Sequence, residues 1–220
     1  ESHMDMMAGE LSISPLEMRL KNALSEGDYS SIGQKLEGVS LKKCISEAVK
    51  KSGYKSRRGM GMACAQYPCS GLPGSAAITV NSDGSMILTS GVADLGSGSQ
   101  TVLLQIAAQE MGIPLEKATI IAGDTELTPY DSGSGASRVT YITGTAVKIA
   151  ARDAREQLLK AAGDILEANR EDLVAIDGMI SVKGSPSKKV TIAEAAAFAQ
   201  NRGGGPIIGR GSYREDEPAY

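Results

Sequence analysis

The order of apolar patterns along this chain predicts an α+β fold: a mixed or antiparallel sheet with helices packed on one face. Three observations carry that reading. Two short apolar runs, 76–80 and 85–90, flank Asn81-Ser82-Asp83-Gly84, the signature of a hairpin. The long helical patterns, 100–111 and 141–166, come after that hairpin and not between successive parallel strands. A second hairpin signal, Asp177-Gly178 between 172–176 and 179–182, follows near the end.

In order, residues 1–13 read as a tag and a Met-rich lead, since Ser2-His3-Met4 resembles a cloning scar. Ser14-Pro15 opens a helix, with Ser at the N-cap, Pro at the first position and Glu17 one turn in; Leu16, Leu20 and Leu24 repeat at helical spacing. Ser40 caps a second helix that gathers Leu41, Cys44, Ile45 and Val49 on one face. Residues 14–52 therefore form a helical linker region, and the main domain runs over 57–220. Residues 59–65, small and apolar, are expected as a buried strand, and 68–74 (PCSGLPG) as a loop. After the first hairpin a Gly/Ser loop, 94–101, leads into helix 100–111, which Gly112 ends. A short strand, 118–121, precedes a second and longer loop, 122–138. Loops of that length inside a compact domain are usually functional. Helix 141–166 then buries Val147, Ala151, Ala154, Leu158 and Ala162 and turns Lys148, Arg152, Arg155 and Lys160 to water. Thr191 and Glu194 make a capping box for helix 191–200; 201–205 is a flexible loop, 207–208 a short strand, and 212–220 a frayed end.

Composition excludes several classes of function. The chain has 220 residues, 41% hydrophobic and 22% charged, as in soluble globular proteins. A net charge of -3 without a basic block points away from nucleic acid and anionic membrane, and no apolar run reaches the ~20 residues of a membrane span. His3 is the single histidine and lies in the lead, which removes His-ligated metals and Ser-His-Asp or Cys-His catalysis. Cys44, Cys64 and Cys69 are odd in number and form no Cys-x-x-Cys, so buried reduced thiols in a cytoplasmic protein are expected. With no Trp and one Phe, the core must be largely aliphatic.

The two loops are the candidate site. The first is Asp94-Leu95-Gly96-Ser97-Gly98-Ser99-Gln100-Thr101, and the second ends in Gly135-Ala136-Ser137-Arg138. Each runs into a helix, whose first turn offers unpaired N–H groups and a positive dipole end. Two such ends could hold the phosphates of one long anionic ligand. Ser99, Gln100 and Thr101 could donate to phosphate, or one of them could simply cap the helix. Ser137 and Arg138 could bind the same ligand, with a two-pronged guanidinium contact, or Arg138 could pair with Asp131 or Asp124. Those two carboxylates, with Asp94, read as turn and capping groups. The first loop is neither a Walker loop nor a dinucleotide fingerprint.

Asp94-Leu95-Gly96-x-Gly98-x-x-Thr101, Gln105-Ile106-Ala107-Ala108, Gly112-Ile113-Pro114, Gly123-Asp124-Thr125, Thr128-Pro129 and Gly135-Ala136-Ser137-Arg138 with Thr140-Tyr141 and Gly144 resemble the molybdopterin-binding large subunit of the xanthine dehydrogenase and aldehyde oxidase family. The segment 14–24, with Ser14 in place of the family's usual Asp, adds to the likeness. The resemblance implies a fold of the molybdenum-cofactor-binding type and a cofactor site made from Gly96, Ser97, Gly98, Ser99, Gln100, Thr101, Gly135, Ala136, Ser137, Arg138 and Thr140. Ser97 stands where many members have Gln. The implied cofactor is molybdopterin, in its mononucleotide or cytosine dinucleotide form. The implied partners are the rest of the large subunit and iron–sulfur and FAD subunits or domains. The family's Gly-x-Gly-Glu motif, which holds the catalytic base, does not occur. The chain thus reads as an internal fragment of a molybdenum hydroxylase, one expected to lack activity and bound cofactor by itself. The alternative is a non-catalytic nucleotide-binding or subunit-interaction module.

Overall fold

The computed structural model describes residues 1–31, 33, 35–55, 59–65, 72–202 and 205–215. Parts of three expected loops or ends (68–71, 203–204 and 216–220), the start of the main domain at 57–58 and Cys69 lie outside the described residues. The chain divides into two compact units, Glu1–Tyr67 and Pro68–Tyr220.

The first unit is helical: α1 (Ser2–Glu10), α2 (Pro15–Asn22) and α3 (Leu41–Ser52). The expected lead is largely α1. Arg19 ties it to α2, donating to Glu1 Oε2 at 2.7 Å, Asp5 Oδ1 at 2.7 Å and Pro15 O at 3.0 Å. Ser14 caps α2 as expected, its Oγ accepting from Glu17 N at 3.0 Å. Ser40 stands at the N-cap of α3 without a side-chain cap bond. Only Ile45 of the expected apolar face is buried. The expected strand at 59–65 is not formed: the segment has no hydrogen-bonded strand partner among the described residues. Cys44 is exposed and Cys64 half-buried, against the expectation of buried thiols.

In the second unit β1 (Gly74–Val80) and β2 (Met86–Ser90) form the expected antiparallel hairpin. Helix α4 (Ser99–Met111) crosses from β2 to β3 (Ala118–Ala122), which pairs with β2 in parallel. The last strand, β7 (Ile207–Tyr213), longer than expected, pairs antiparallel with β1 and completes a mixed sheet of order β3-β2-β1-β7. Strict alternation buries Ala76, Ile78, Val80, Met86 and Leu88 on one face, under α4 and α5 (Gly144–Leu166).

Helix α5 lies directly on β7 because neither surface has bulk. A Cβ at Gly209 would stand 2.1 Å from Ala150 O, and one at Gly211 would stand 2.1 Å from Ala146 O. Ala146, Ala150 and Ala154, spaced by one turn, fill that contact, while Val147, Ala151, Leu158 and Ala162 reach the aliphatic core as expected. Each fully buried Val or Leu side chain there contributes about 1.5–3 kcal/mol. Arg155 is half-buried and not turned wholly to water.

A second, antiparallel sheet joins β4 (Leu173–Ile176), β5 (Met179–Val182) and β6 (Ser185–Thr191). The first two are the expected Asp-Gly hairpin; β6 is an edge strand concealed by a polar sequence. This sheet meets the C-cap of α4, where a Cβ at Gly112 (φ 69) would stand 2.3 Å from Ala175 O. Helix α6 (Ile192–Arg202) starts at the expected capping box, Glu194 N to Thr191 Oγ1 at 3.0 Å and Thr191 N to Glu194 Oε2 at 2.8 Å. Among the described residues, no helix is long and apolar enough to cross a membrane.

Candidate functional site

The two glycine loops converge. Leu103 and Ile106 of α4 meet Gly144, the first residue of α5, and Glu110 further along α4 pairs with Arg152 at 3.1 Å. Both contacts run in the same direction, so α4 and α5 are parallel and their starts lie at the same end. The loops also touch, since Ser134 Oγ donates to Ala93 O at the entrance of the first loop. Helix α5 does not begin as a plain α-helix. A π turn, Val139–Thr143, leads directly into it, a form frequent at functional sites.

Each loop is built around its own carboxylate. Asp94 Oδ1 accepts from Gly96 N at 2.8 Å and Gly98 N at 3.2 Å, and Oδ2 from Gln100 N at 3.5 Å. The Gly96 N–H, with those of Gln100, Gly98 and Ser97, holds the Asp94 carboxyl below its usual range. These N–H groups therefore belong first to Asp94; of them only that of Gln100 lies in the first turn of α4, so the expectation of unpaired N–H groups there is corrected at that one position. In the second loop Asp131 Oδ1 accepts from Gly133 N at 2.8 Å and Arg138 Nη1 at 2.7 Å, and Oδ2 accepts from Thr143 Oγ1 at 2.8 Å. Asp124 closes a turn by accepting from Glu126 N at 2.8 Å.

Arg138 differs most from the phosphate-binding expectation. Its side chain is 2% exposed, and its N–H groups reach Asp131, Gly133 O, Leu72 O and Pro73 O. With those donors committed, the guanidinium has none to spare for phosphate. The ion pair with Asp131 weighed in the sequence is the one that forms.

What the loops leave open is space beside the glycine backbone and a set of hydroxyl groups. A Cβ at Gly96, Gly98, Gly133 or Gly135 would meet nothing within 4 Å, so space adjoins the backbone at all four. Gly96 and Gly98 have φ of 97° and 73°, which glycine alone adopts without strain. Ala136 (φ 45°) and Ser137 (φ 52°) are successive non-glycine residues in the left-handed region. Ser97, Thr101, Ser137 and Thr140 are exposed, and Gln100 half-exposed. Ser99 is the exception. It is 4% exposed at the first turn of α4, and its Oγ has no hydrogen-bond partner among the described residues. A buried hydroxyl without a partner costs about 1–3 kcal/mol, which suits a site completed by something else.

The sequence profile of the molybdopterin cofactor-binding domain matches residues 36–220, which include both loops and both helices. This chain belongs to that family. It is 30% identical, over 227 aligned residues, to the xanthine dehydrogenase molybdenum-binding subunit of Escherichia coli O157:H7, covering 93% of this chain and 30% of that subunit. It is 31% identical to the nicotine 6-hydroxylase large subunit of Paenarthrobacter nicotinovorans, covering 89% of this chain and 27% of the relative. The reconstituted CO dehydrogenase from Oligotropha carboxidovorans shares the fold, with a TM-score of 0.82 at 24% identity over 100% of this chain and 32% of that one. The chain thus spans less than a third of the length of these relatives. The expected fold type and cofactor class hold. The molybdopterin-binding domain accounts for the loops better than a nucleotide module, which no comparison favours. Among the described residues no group of three or more His, Cys, Asp or Glu side chains is placed to hold a metal ion directly.

Two features of the site were not foreseen. Leu72 and Pro73 enter it through their carbonyls, which no sequence pattern signals. Tyr141, at the π turn, donates to Glu215 at 3.1 Å and lies edge-on to Tyr213; hydrogen bonding to Tyr213 and then to Glu215 pushes its hydroxyl pKa up.

Proposed function

We propose that this chain seats and orients the pterin cofactor within a molybdenum hydroxylase large subunit, and that the two loops at the starts of α4 and α5 form the seat. The observation that carries the proposal is the convergence of the two loops at parallel helix starts, with glycine backbone open beside them and the Ser99 hydroxyl buried without a partner. The backbone at Gly96, Gly98, Gly135 and Ala136 gives close approach to the ligand. Ser97, Ser99, Gln100, Thr101, Ser137 and Thr140 offer side-chain donors, and Arg138 shapes the second loop. The cofactor form is the mononucleotide or the cytosine dinucleotide.

When bound, the molybdenum cofactor supplies the two-electron redox chemistry. The whole enzyme hydroxylates a purine, an N-heterocycle or an aldehyde, taking oxygen from water and passing electrons to iron–sulfur and FAD partners. This section contributes binding and orientation, and its own carboxylates remain turn and capping groups. Without the family's base motif, the 220 residues alone are inactive. The test is metal and pterin analysis of the subunit containing this sequence, before and after Ser99→Ala and Thr101→Ala together. The proposal expects both contents to fall in parallel. Full occupancy in the double variant would refute it.

A further inference from the structure

We infer that Asp131 and Arg138 act as a positioning pair, one that fixes the second loop in its ligand-receiving shape before any ligand arrives. The inference rests on the proposed cofactor role of that loop.

Both side chains are buried, Arg138 at 2% and Asp131 at 0% exposed. A buried ion pair is costly unless geometry and additional hydrogen bonds compensate. Here they do, and the compensation joins four separate pieces of chain. Arg138 Nη1 reaches Asp131 Oδ1 at 2.7 Å and Gly133 O at 2.6 Å. Its Nη2 reaches Pro73 O at 2.8 Å and Leu72 O at 3.1 Å, and Nε reaches Leu72 O at 3.3 Å. Asp131 Oδ2 takes the Thr143 hydroxyl at 2.8 Å, which binds the π turn to the same point. Gly74, at the head of β1, has no room for a side chain: a Cβ would stand 2.9 Å from Thr143 Oγ1 and 3.1 Å from both Arg138 Nη2 and Asp131 Oδ2. The loop entrance, its exit, the start of β1 and the start of α5 are thus locked together.

Between the two ends of the clamp lie Ala136 and Ser137 in left-handed conformations. Such backbone persists only where its surroundings over-determine it. An apolar pair of the same size could fill the space but could not satisfy the carbonyls of Leu72, Pro73 and Gly133. A lysine keeps the charge, yet has three donors from one atom and no planar fork to reach acceptors on different segments. The pair therefore controls loop shape, and through it the entropy lost when a ligand binds.

The experiment compares Arg138→Lys and Asp131→Asn with Leu158→Ala, a core variant remote from the loops, in the subunit containing this sequence. Three quantities are measured: thermal midpoint, the rate of molybdenum and pterin loss on dilution, and amide exchange at 133–138 in ligand-free protein. Arg138→Lys should speed exchange at 133–138 and cofactor loss by about tenfold each, the change that about 1.4 kcal/mol produces. Leu158→Ala should lower the midpoint at least as far while leaving cofactor loss near that of the parent. If Arg138→Lys does not fold, Thr143→Val, which removes one donor to Asp131, replaces it with the same expectation. Parent-like exchange and retention in the loop variants would overturn the inference, as would cofactor loss that simply follows the midpoint in all variants. A parent subunit that carries neither molybdenum nor pterin would instead sink the proposed function, while the exchange data would still decide whether the pair holds the loop.

Discussion

Gly211→Ala tests how the second loop is supported. A Cβ at this position would stand 2.1 Å from Ala146 O and 2.6 Å from Ala150 N, both backbone atoms of α5. An ordinary carbon–oxygen contact needs about 3.3 Å, so α5 must retreat from β7 by roughly 1 Å. Overpacking of this kind costs about 1–3 kcal/mol, and because the nearest atoms are α5 backbone, which cannot rotate away, the cost falls at the upper end. At roughly 2–4 °C per kcal/mol for a chain of this size, the midpoint should fall by about 6–12 °C. The neighbouring Ser212→Ala, on the exposed face, should stay within about 0.5 kcal/mol of the parent. The assay is thermal unfolding followed by far-ultraviolet circular dichroism, with the two variants side by side. Because α5 carries the π turn and Thr143 at its start, the same shift displaces the second loop, so cofactor retention should fall too. A Gly211→Ala midpoint within about 2 °C of the parent would refute the close packing of α5 on β7.

Ser99→Ala should raise the midpoint of ligand-free protein or leave it unchanged, since it removes an unpartnered buried hydroxyl; in the whole subunit it should lower cofactor content, and a clear loss of ligand-free stability would show that the hydroxyl already has a partner. Asp94 has a depressed pKa, so its hold on the first loop is complete above the ordinary carboxylate range and is lost as pH falls through the lower folded value. Amide shifts of Gly96, Gly98 and Gln100 followed by NMR should therefore move only below the ordinary carboxylate range, and movement near neutrality would contradict the assignment. Leu158→Ala should cost about 2–5 kcal/mol by denaturant unfolding. Ser97→Gln, at an exposed loop position, should be tolerated in both stability and cofactor content.

The fold was legible where local chemistry and tertiary need agree. The Asn81–Gly84 and Asp177-Gly178 turns, the Thr191/Glu194 box and the 147-151-154-158-162 stripe each announce themselves. Strand β6 did not, because SPSKKVT has neither alternation nor apolar bulk; an edge strand of a small sheet needs neither. The expected strand at 59–65 failed for the opposite reason: small apolar residues suit a strand but do not provide a partner for it. The extent of β7 was hidden because the expected strand stopped at 208 and 212–220 read as a frayed end, and Gly209 and Gly211 give no strand signal until one sees that a helix must lie on them. At the site, the loops and the pairing of their helices could be expected, but the direction of Arg138 could not. A guanidinium beside a glycine loop has the same sequence signature whether it points at a phosphate or back at Leu72 and Pro73.

That direction changes how the loops are understood to work. If Arg138 faced the proposed seat, ligand binding would supply the charge balance of the second loop, and the loop would wait on the ligand for its shape. Instead the charges of both loops are largely balanced internally, Asp94 by N–H groups of its own loop and Arg138 by Asp131 and three carbonyls. A ligand of this face would meet a preformed surface of glycine backbone and hydroxyls, beside a Ser99 Oγ that is buried without a partner among the described residues. A site made this way gains little Coulomb attraction for an anion, and the carboxylate of Asp94 opposes it. If the proposed cofactor binds there, its recognition rests on shape and hydrogen-bond geometry more than on charge.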